Sequence, residues 1–223
     1  MAACAAVSLV RRWPSAARLS IVGAACEAFA YLDVLQWPAS FLAGLAVLPL
    51  LVRYVPALSW LRPAFPWLRR GAIDRMTAML IGGVSVVAGT ALVLWFALLR
   101  PDVRDLVHMI PPMPKWALPF AGLGFSAANA VAEEAVYRGV ALDALDAAFG
   151  AGVPSVLLQA VAFGCLHLHG FPRGVIGVVL AATFGLMLGA IWRRARGMLA
   201  PWLAHVFADV AIVAILVVHA GLL

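Results

Sequence analysis

The feature that most constrains this chain is an uncharged run from Met76 to Leu99. A helix needs about 20 mainly apolar residues to cross the hydrocarbon core of a bilayer, and this run is long enough. Hydrophobic residues make up 65% of the 223 residues and charged residues 12%, whereas soluble domains carry about 45–50% and 25%. The sequence therefore predicts an all-α, polytopic membrane protein.

We predict about seven transmembrane spans, with a range of six to eight, in one integral-membrane domain over residues 1–223. The first two spans are short and are interrupted by Pro38 and Pro49. The fourth is too long for a simple crossing, so its end, with Asp143 and Asp146, is expected to emerge as an amphipathic extension. The predicted spans lie near 19–36, 39–58, 76–99, 116–148, 153–169, 173–192 and 199–222.

The basic residues divide unevenly between the two ends of these spans. Cytoplasmic loops carry an excess of Lys and Arg, so we predict a cytoplasmic N-terminus. The inside segments would then hold Arg11, Arg12, Arg18, Arg53, Arg62, Arg69, Arg70, Arg75, Arg193, Arg194 and Arg196. The outside segments would hold only Arg100, Arg104, Lys115 and Arg173.

The same basic residues explain the net charge of +6 without a nucleic-acid partner. The chain has no basic surface interleaved with aromatic residues, so we expect membrane lipid, and no nucleic acid, as its polyanionic partner. Abundant Arg, Ala, Val and Gly with almost no Lys is typical of a GC-rich bacterium, which predicts the bacterial inner membrane. The three cysteines have no paired spacing and indicate neither a disulfide framework nor a zinc site.

Three groups of ionisable residues lie inside predicted spans, where each charge costs about 2.5–3.5 kcal/mol. The first group is Glu133 and Glu134, followed by Arg138. A helix places Glu134 and Arg138 on one face within pairing distance, and it turns Glu133 about 100° away. Two interpretations stay open: all three residues form a structural ion network, or Glu134 is held ionised while Glu133 acts as a base.

The second and third groups contain histidines. His167 lies near the end of an apolar helix and is either a hydrogen-bonding residue or a catalyst, whereas His169, closer to the break at 170–172, is expected at the interface. His205 and Asp209 are four residues apart, so the carboxylate can reach an imidazole nitrogen. Such a pair orients a working histidine or joins two helices.

Together these groups resemble the signature of the CPBP family, the CAAX-protease and bacteriocin-processing peptidases that are also called the Abi family. The family pattern is E-E-x-x-x-R, then F-x-x-x-H, then H-x-x-x-N or a close variant. The resemblance covers the chain from about 116 to 223, which we expect to be the catalytic core, and residues 1–100 add spans without a family signature. The matching residues are Glu133, Glu134, Arg138, Phe163, His167, His205 and Asp209.

The resemblance implies an intramembrane peptidase that hydrolyses a peptide bond with water and needs no cofactor or metal. Glu133 and His167 would activate the water, while His205, with the residue at 209, would stabilise the oxyanion or orient the carbonyl. Glu134 and Arg138 would hold the helix and tune Glu133. The implied substrate is a membrane-associated peptide or a C-terminal anchor or sorting segment.

Two features depart from a simple reading of that family. The last position is often Asn, which donates a hydrogen bond that an ionised Asp cannot, so we expect Asp209 to orient His205. Straight helices would also leave His205 about 10–15 Å out of line with Glu133 and His167. We therefore expect the junction 170–172 to dip into the membrane or the sixth span to tilt, creating a water-filled polar cavity.

Other classes of protein also place such residues in a membrane. A Glu-His-His set could bind zinc, although H-E-x-x-H is absent. A proton-coupled transporter uses buried Glu, Arg and His, although paired broken helices are not evident. A non-catalytic scaffold or immunity protein on the peptidase fold is a third alternative, which does not require all three of Glu133, His167 and His205.

Overall fold

The computed structural model describes residues 2–32, 35, 37–61 and 69–222, and all the regular structure in them is helical. Arg62, one of the arginines predicted inside, lies outside the described residues. A π-helical segment, Ala135–Ala141, joins α6 to α7. The α-helices are α1 (Ala2–Val10), α2 (Pro14–Tyr31), α3 (Ala39–Tyr54), α4 (Arg75–Leu99), α5 (Arg104–His108), α6 (Leu118–Glu134), α7 (Leu142–Phe149), α8 (Val153–Leu166), α9 (Gly174–Ala195) and α10 (Leu199–His219). Short 3₁₀ helices cover Pro56–Leu61 and Lys115–Ala117.

Three helices, α4, α9 and α10, are long and apolar enough to cross a membrane. Two shorter apolar helices, α3 and α8, fall in predicted spans. The helical segments follow the predicted order, and α10 packs against α4, α6 and α9. The all-helical membrane architecture is thus confirmed, while the crossing of the remaining segments stays a prediction.

The fourth predicted span is interrupted rather than being one continuous α-helix. Its backbone changes from α- to π-helical geometry at Ala135, directly after the two glutamates, and returns to α-helix at Leu142. A π-helical turn is rare and is often found at functional sites. The charged face of α7 is paired on both sides, with Arg18 2.6 Å from Asp143 and Arg193 2.6 Å from Asp146.

Most of the described arginines predicted inside lie at one end of the bundle, which we call the arginine-rich end (residues 69–75 and 193–199). The backbone N–H of Met198 donates to the carbonyl of Arg69 at 2.7 Å, which joins the two segments. Asp74 caps α4 by accepting from the backbone N–H of Thr77 at 2.7 Å, and it also pairs with Arg194 at 2.6 Å. These hydrogen bonds lower the pKa of Asp74 to about 2.

The residues predicted outside meet at the opposite end, which we call the α5 end (residues 100–117 and 168–173). Arg173 pairs with Asp105 at 2.8 Å and donates to the backbone carbonyl of Asp102 at 2.6 Å. The two loops that the arginine distribution assigned to the outside are therefore in contact with each other.

Helices α8 and α9 pack closely at Gly164. A Cβ built on Gly164 would lie 2.6 Å from the carbonyl oxygen of Val178 and 2.8 Å from the Cβ of Ala182. A backbone oxygen cannot move aside as a flexible side chain can, so this position requires glycine. Gly82 on α4, by contrast, has open space around a built Cβ.

We expect Gly164→Ala to destabilise the protein by about 1–3 kcal/mol, because it overpacks the α8–α9 contact. Gly82→Ala is the matched control and should be neutral or stabilising, since alanine is the better helix former by about 1 kcal/mol. Thermal unfolding in detergent measures both. Equal midpoints for the two variants would contradict the close packing at Gly164.

Candidate active site

Glu134 is the most deeply buried acid of the site. It has no exposed surface, and its Oε1 accepts a hydrogen bond from Arg138 Nη1 at 2.9 Å. The predicted pairing of these two residues is present, although the π-helical segment begins between them. The other amino group of Arg138 donates to the carbonyl of Gly185 on α9 at 3.2 Å, so the guanidinium also ties this run to α9.

His205 lies between the two glutamates. Its Nδ1 is 2.7 Å from Glu134 Oε1, and its Nε2 is 3.4 Å from Glu133 Oε2. The short contact fixes the ring, whereas the contact at Nε2 is longer than an ordinary hydrogen bond. With Glu134 ionised, Nδ1 donates to it, and Nε2 stays available toward the other residues of the site.

Asp209 does not make the closest carboxylate contact to His205. Its Oδ1 lies 3.6 Å from Nε2, and Glu134 takes the other ring nitrogen at 2.7 Å. The orienting role of Asp209 toward His205 stays a prediction, and the shorter contact to the ring comes from Glu134. Glu134, at the end of α6, makes the contact to Nδ1, while Asp209, one turn along α10, lies nearer to Nε2.

Asn129 is a site residue that the sequence patterns do not single out. Its Nδ2 donates to Asp209 Oδ2 at 3.0 Å and lies 3.3 Å from Glu133 Oε1, so one amide group bridges two carboxylates. The indole Nε1–H of Trp37 donates to the Asn129 carbonyl oxygen, which fixes the orientation of the amide. The available signal was its position one helical turn before Glu133 in an apolar helix.

His167 follows the end of α8, where its Nδ1 lies 3.0 Å from the carbonyl of Phe163. A carbonyl only accepts, so Nδ1 carries the proton and Nε2 presents a lone pair when the ring is neutral. His169 is exposed in the following turn. Among the described residues, His167 and Glu133 make no direct hydrogen bond.

Phe163 forms the wall between these groups. Its ring centroid lies 4.8 Å from that of His167 and 5.9 Å from that of His205, and the guanidinium carbon of Arg138 lies 4.8 Å from it. The predicted supporting residue thus contacts three of the other matching positions, and it excludes solvent from the Arg138 side of the site.

The displacement of His205 expected from straight helices is not observed, since its ring contacts both glutamates. The run from Glu133 to the turn after α7 is also not one straight α-helix, because it includes the π-helical segment. The junction 170–172 packs against the start of α9, where Pro172 O would lie 2.2 Å from a Cβ on Gly177. A dip of this junction into the membrane stays a prediction.

A cavity of about 860 Å³ connects these residues. Glu133, His167, His205 and Asp209 all line it, together with Asn129. The rest of the lining is largely apolar and comes from α3, α4, α6, α8, α9, α10, the residues around α5, and Trp37 before α3. The predicted acids and histidines are therefore brought to one cavity, while Glu134 and Arg138 lie behind its wall.

The described part of the chain contains no group of three or more His, Cys, Asp or Glu residues arranged to hold a metal ion. The side chains that line the cavity instead contact one another through hydrogen bonds and ion pairs, as the bridging amide of Asn129 illustrates.

Comparison with known families identifies the segment that carries these residues. Residues 115–211 match the family model described as type II CAAX prenyl endopeptidase Rce1-like. The predicted family resemblance is confirmed for this segment. No curated protein and no solved structure matches the chain. The Rce1-like match begins just before α6 and ends within α10, so it includes all seven signature positions, and it implies a protease.

The buried Arg138–Glu134 pair of this Rce1-like segment can be tested against the exposed Arg104–Asp102 pair. We expect Arg138→Met to destabilise the protein by about 3–5 kcal/mol, because it leaves Glu134 buried without its cation. Arg104→Gln breaks a pair whose two side chains are 82% and 59% exposed, and it should change stability little. Unfolding midpoints in detergent measure both; a small effect of Arg138→Met would show that the pair is dispensable.

We expect Asn129→Leu to lower peptidase turnover by about tenfold to a hundredfold, because the carboxylates of Glu133 and Asp209 lose their shared donor. Ser126→Ala is the control on the same helix, since the Ser126 hydroxyl donates only to the backbone carbonyl of Gly122 at 2.8 Å. Steady-state kinetics should show the loss in kcat rather than in KM. Unchanged turnover in folded Asn129→Leu would exclude a positioning role.

Proposed function

We propose that this chain is an intramembrane glutamic endopeptidase that uses Glu133 and His167 to activate water. The observation that carries the proposal is the shared cavity, in which a carboxylate, a neutral imidazole nitrogen and an available His205 donor face one space. A general base, a second proton acceptor and an oxyanion donor are the groups that hydrolysis of an amide requires.

In the proposed reaction, a water molecule lies between Glu133 and His167 Nε2. Glu133 takes one proton while the water oxygen attacks the scissile carbonyl carbon, forming a tetrahedral intermediate. His167 accepts a hydrogen bond from the second water hydrogen and orients the attack. The carbon–nitrogen bond then breaks, and the proton moves from Glu133 to the leaving nitrogen, which restores the carboxylate.

His205 stabilises the negative charge on the intermediate. Its Nε2 has only long contacts, 3.4 Å to Glu133 and 3.6 Å to Asp209, so a substrate oxygen can take a shorter hydrogen bond from it. Such donors in a dry site are worth about 3–4 kcal/mol of barrier. Nε2 donates only when the ring is a doubly protonated imidazolium, which the surrounding carboxylates of Glu133, Glu134 and Asp209 stabilise. Glu134 accepts from Nδ1 and aims the Nε2–H at this position, which removes the need for an Asn at 209.

Asp209 also contacts a second polar residue of the site. It accepts the hydrogen bond of Asn129 at 3.0 Å and thereby holds the amide that also faces Glu133. We assign Asp209 to positioning Glu133 through Asn129, with Arg138 and Phe163 maintaining the wall behind them.

The proposal includes the placement of the chain in a membrane. Seven spans, a cytoplasmic N-terminus and a bacterial inner membrane agree with the arginine distribution and with the contacts inside each end. Residues 116–223 form the catalytic core of the single membrane domain, while the earlier helices complete the bundle. The substrate is a peptide with a membrane-embedded or lipid-linked segment, which is consistent with the apolar lining of the cavity.

The decisive experiment compares cleavage of membrane peptides by purified wild-type protein with that by Glu133→Gln and His167→Ala. We expect Glu133→Gln to lower kcat by at least about a thousandfold and His167→Ala by about a hundredfold or more, because each removes a group acting on the water. His169→Ala, which alters an exposed histidine of the same turn, is the matched control and should keep full activity.

Each alternative predicts a different result. Loss of activity with a chelator, restored by a divalent metal, would indicate a metallopeptidase. Function in cells that survives Glu133→Gln would indicate a scaffold or a transporter. Folding of every variant is checked by size-exclusion chromatography, so that loss of cleavage is not confused with loss of the protein.

A further inference from the structure

The cavity runs in one direction from the candidate site. Leu118, at the start of α6, lines it, and the helix from there to Glu133 is about 22 Å long. His205, at the other limit, is only about 9 Å of helix from Leu199 at the arginine-rich end. The site therefore lies deep in the bundle, and the cavity extends along the longer path toward the α5 end.

The shorter route, from His205 to the arginine-rich end, is closed by packed side chains. A cluster of buried residues fills the space between His205 and the arginine-rich end, with Leu188, Ile191, Ala200 and Ala204 each no more than 1% exposed. The buried Glu134–Arg138 pair closes the neighbouring side. Among the described residues, none of the cavity lining comes from 69–75, 149–153 or 193–199.

The longer route, along α6 from Glu133 toward Leu118, ends at residues around α5. Leu106, Met109 and Met113 line the cavity there, as does Phe171 from the facing junction. Met109 is 54% exposed, so the lining reaches the surface at this end. The α5 end carries few basic residues, and the positive-inside rule assigns it to the extracytoplasmic face.

The lining also limits the chemistry of the ligand. Within the described residues it includes no Lys or Arg, and its charged groups are the acids and histidines of the site. A free C-terminal carboxylate near the scissile bond would meet Glu133 and Asp209 with no Lys or Arg to balance it, and His205 is already paired with Glu134. An uncharged, apolar stretch of peptide fits this surface without such a penalty.

We infer that the cavity is loaded from the α5 end on the extracytoplasmic side, and that its substrate is an uncharged apolar segment of an exported, membrane-anchored protein. This inference rests on the proposed peptidase function for the cleavage itself. The direction of access rests on the cavity and on the two ends of the bundle, which do not depend on catalysis.

Access is tested by cysteine labelling in cells, with Cys4, Cys26 and Cys165 first replaced by alanine. Single cysteines are then placed at the cavity mouth (Met109→Cys), beside the site (Ala208→Cys) and at the opposite end (Ala151→Cys). The probe is a trimethylammonium methanethiosulfonate, a small charged reagent that does not cross membranes. Ala88→Cys, on the α4 side of the cavity, replaces Ala208→Cys if that variant does not fold.

We expect Met109→Cys and Ala208→Cys to react in intact spheroplasts, and Ala151→Cys to react only after lysis. Reaction of Met109→Cys only after lysis would overturn the orientation. If Met109→Cys reacts in intact spheroplasts but Ala208→Cys reacts only after lysis, access through the α5 end would be overturned. Labelling requires no turnover, so these results stand even if no peptide is cut.

The substrate class is tested with purified protein and one apolar peptide made with either a free or an amidated C-terminus. We expect kcat/KM to be similar for both, because the lining supplies no Lys or Arg to bind the carboxylate. A preference of about tenfold or more for the free carboxylate would overturn the substrate assignment. Failure to cut either peptide or a full-length exported reporter, with labelling as expected, would count against the peptidase proposal and leave the direction of access intact.

Discussion

The site depends on one carboxylate oxygen, Glu134 Oε1, which is shared by Arg138 on its own helical run and His205 on α10. A buried carboxylate is tolerated only when it is paired and hydrogen-bonded, and here both partners also hold other elements in place. Arg138 reaches the backbone of α9, and His205 reaches Glu133. Loss of this oxygen would release three helices from one another as well as the ring that faces the cavity.

This sharing explains why the two adjacent glutamates are not equivalent. Glu134 has no exposed surface and meets two cationic or donor groups, whereas Glu133 lines the cavity with longer contacts to Asn129 and His205. Glu134 stabilises the fold, and Glu133 keeps an oxygen within reach of a substrate. Consecutive residues of a helix point about 100° apart, which gives the two acids their different surroundings.

Much of this arrangement follows from sequence patterns, and the rest requires the fold. Spacing of four residues predicted the Glu134–Arg138 pair, and apolar runs predicted the helices, because both depend on local geometry. The partner of His205 Nδ1 and the bridging role of Asn129 depend on how α6 and α10 cross, which no local spacing encodes. The offset of His205 in a straight-helix estimate is absent from the structure, and the π-helical segment after Glu134 has no simple signature in the sequence.

The contact between Trp37 and Asn129 has a consequence for how the chain can be divided. Trp37 lies far upstream of the residues that match the family, and Arg18 on α2 likewise holds α7 through Asp143. The early part of the chain carries no signature residue, yet it supports the later helices through these contacts. A transplanted segment 115–211 would carry every signature residue and still lack the indole that orients its central amide, so evolutionary recombination of this segment must preserve a compatible N-terminal half.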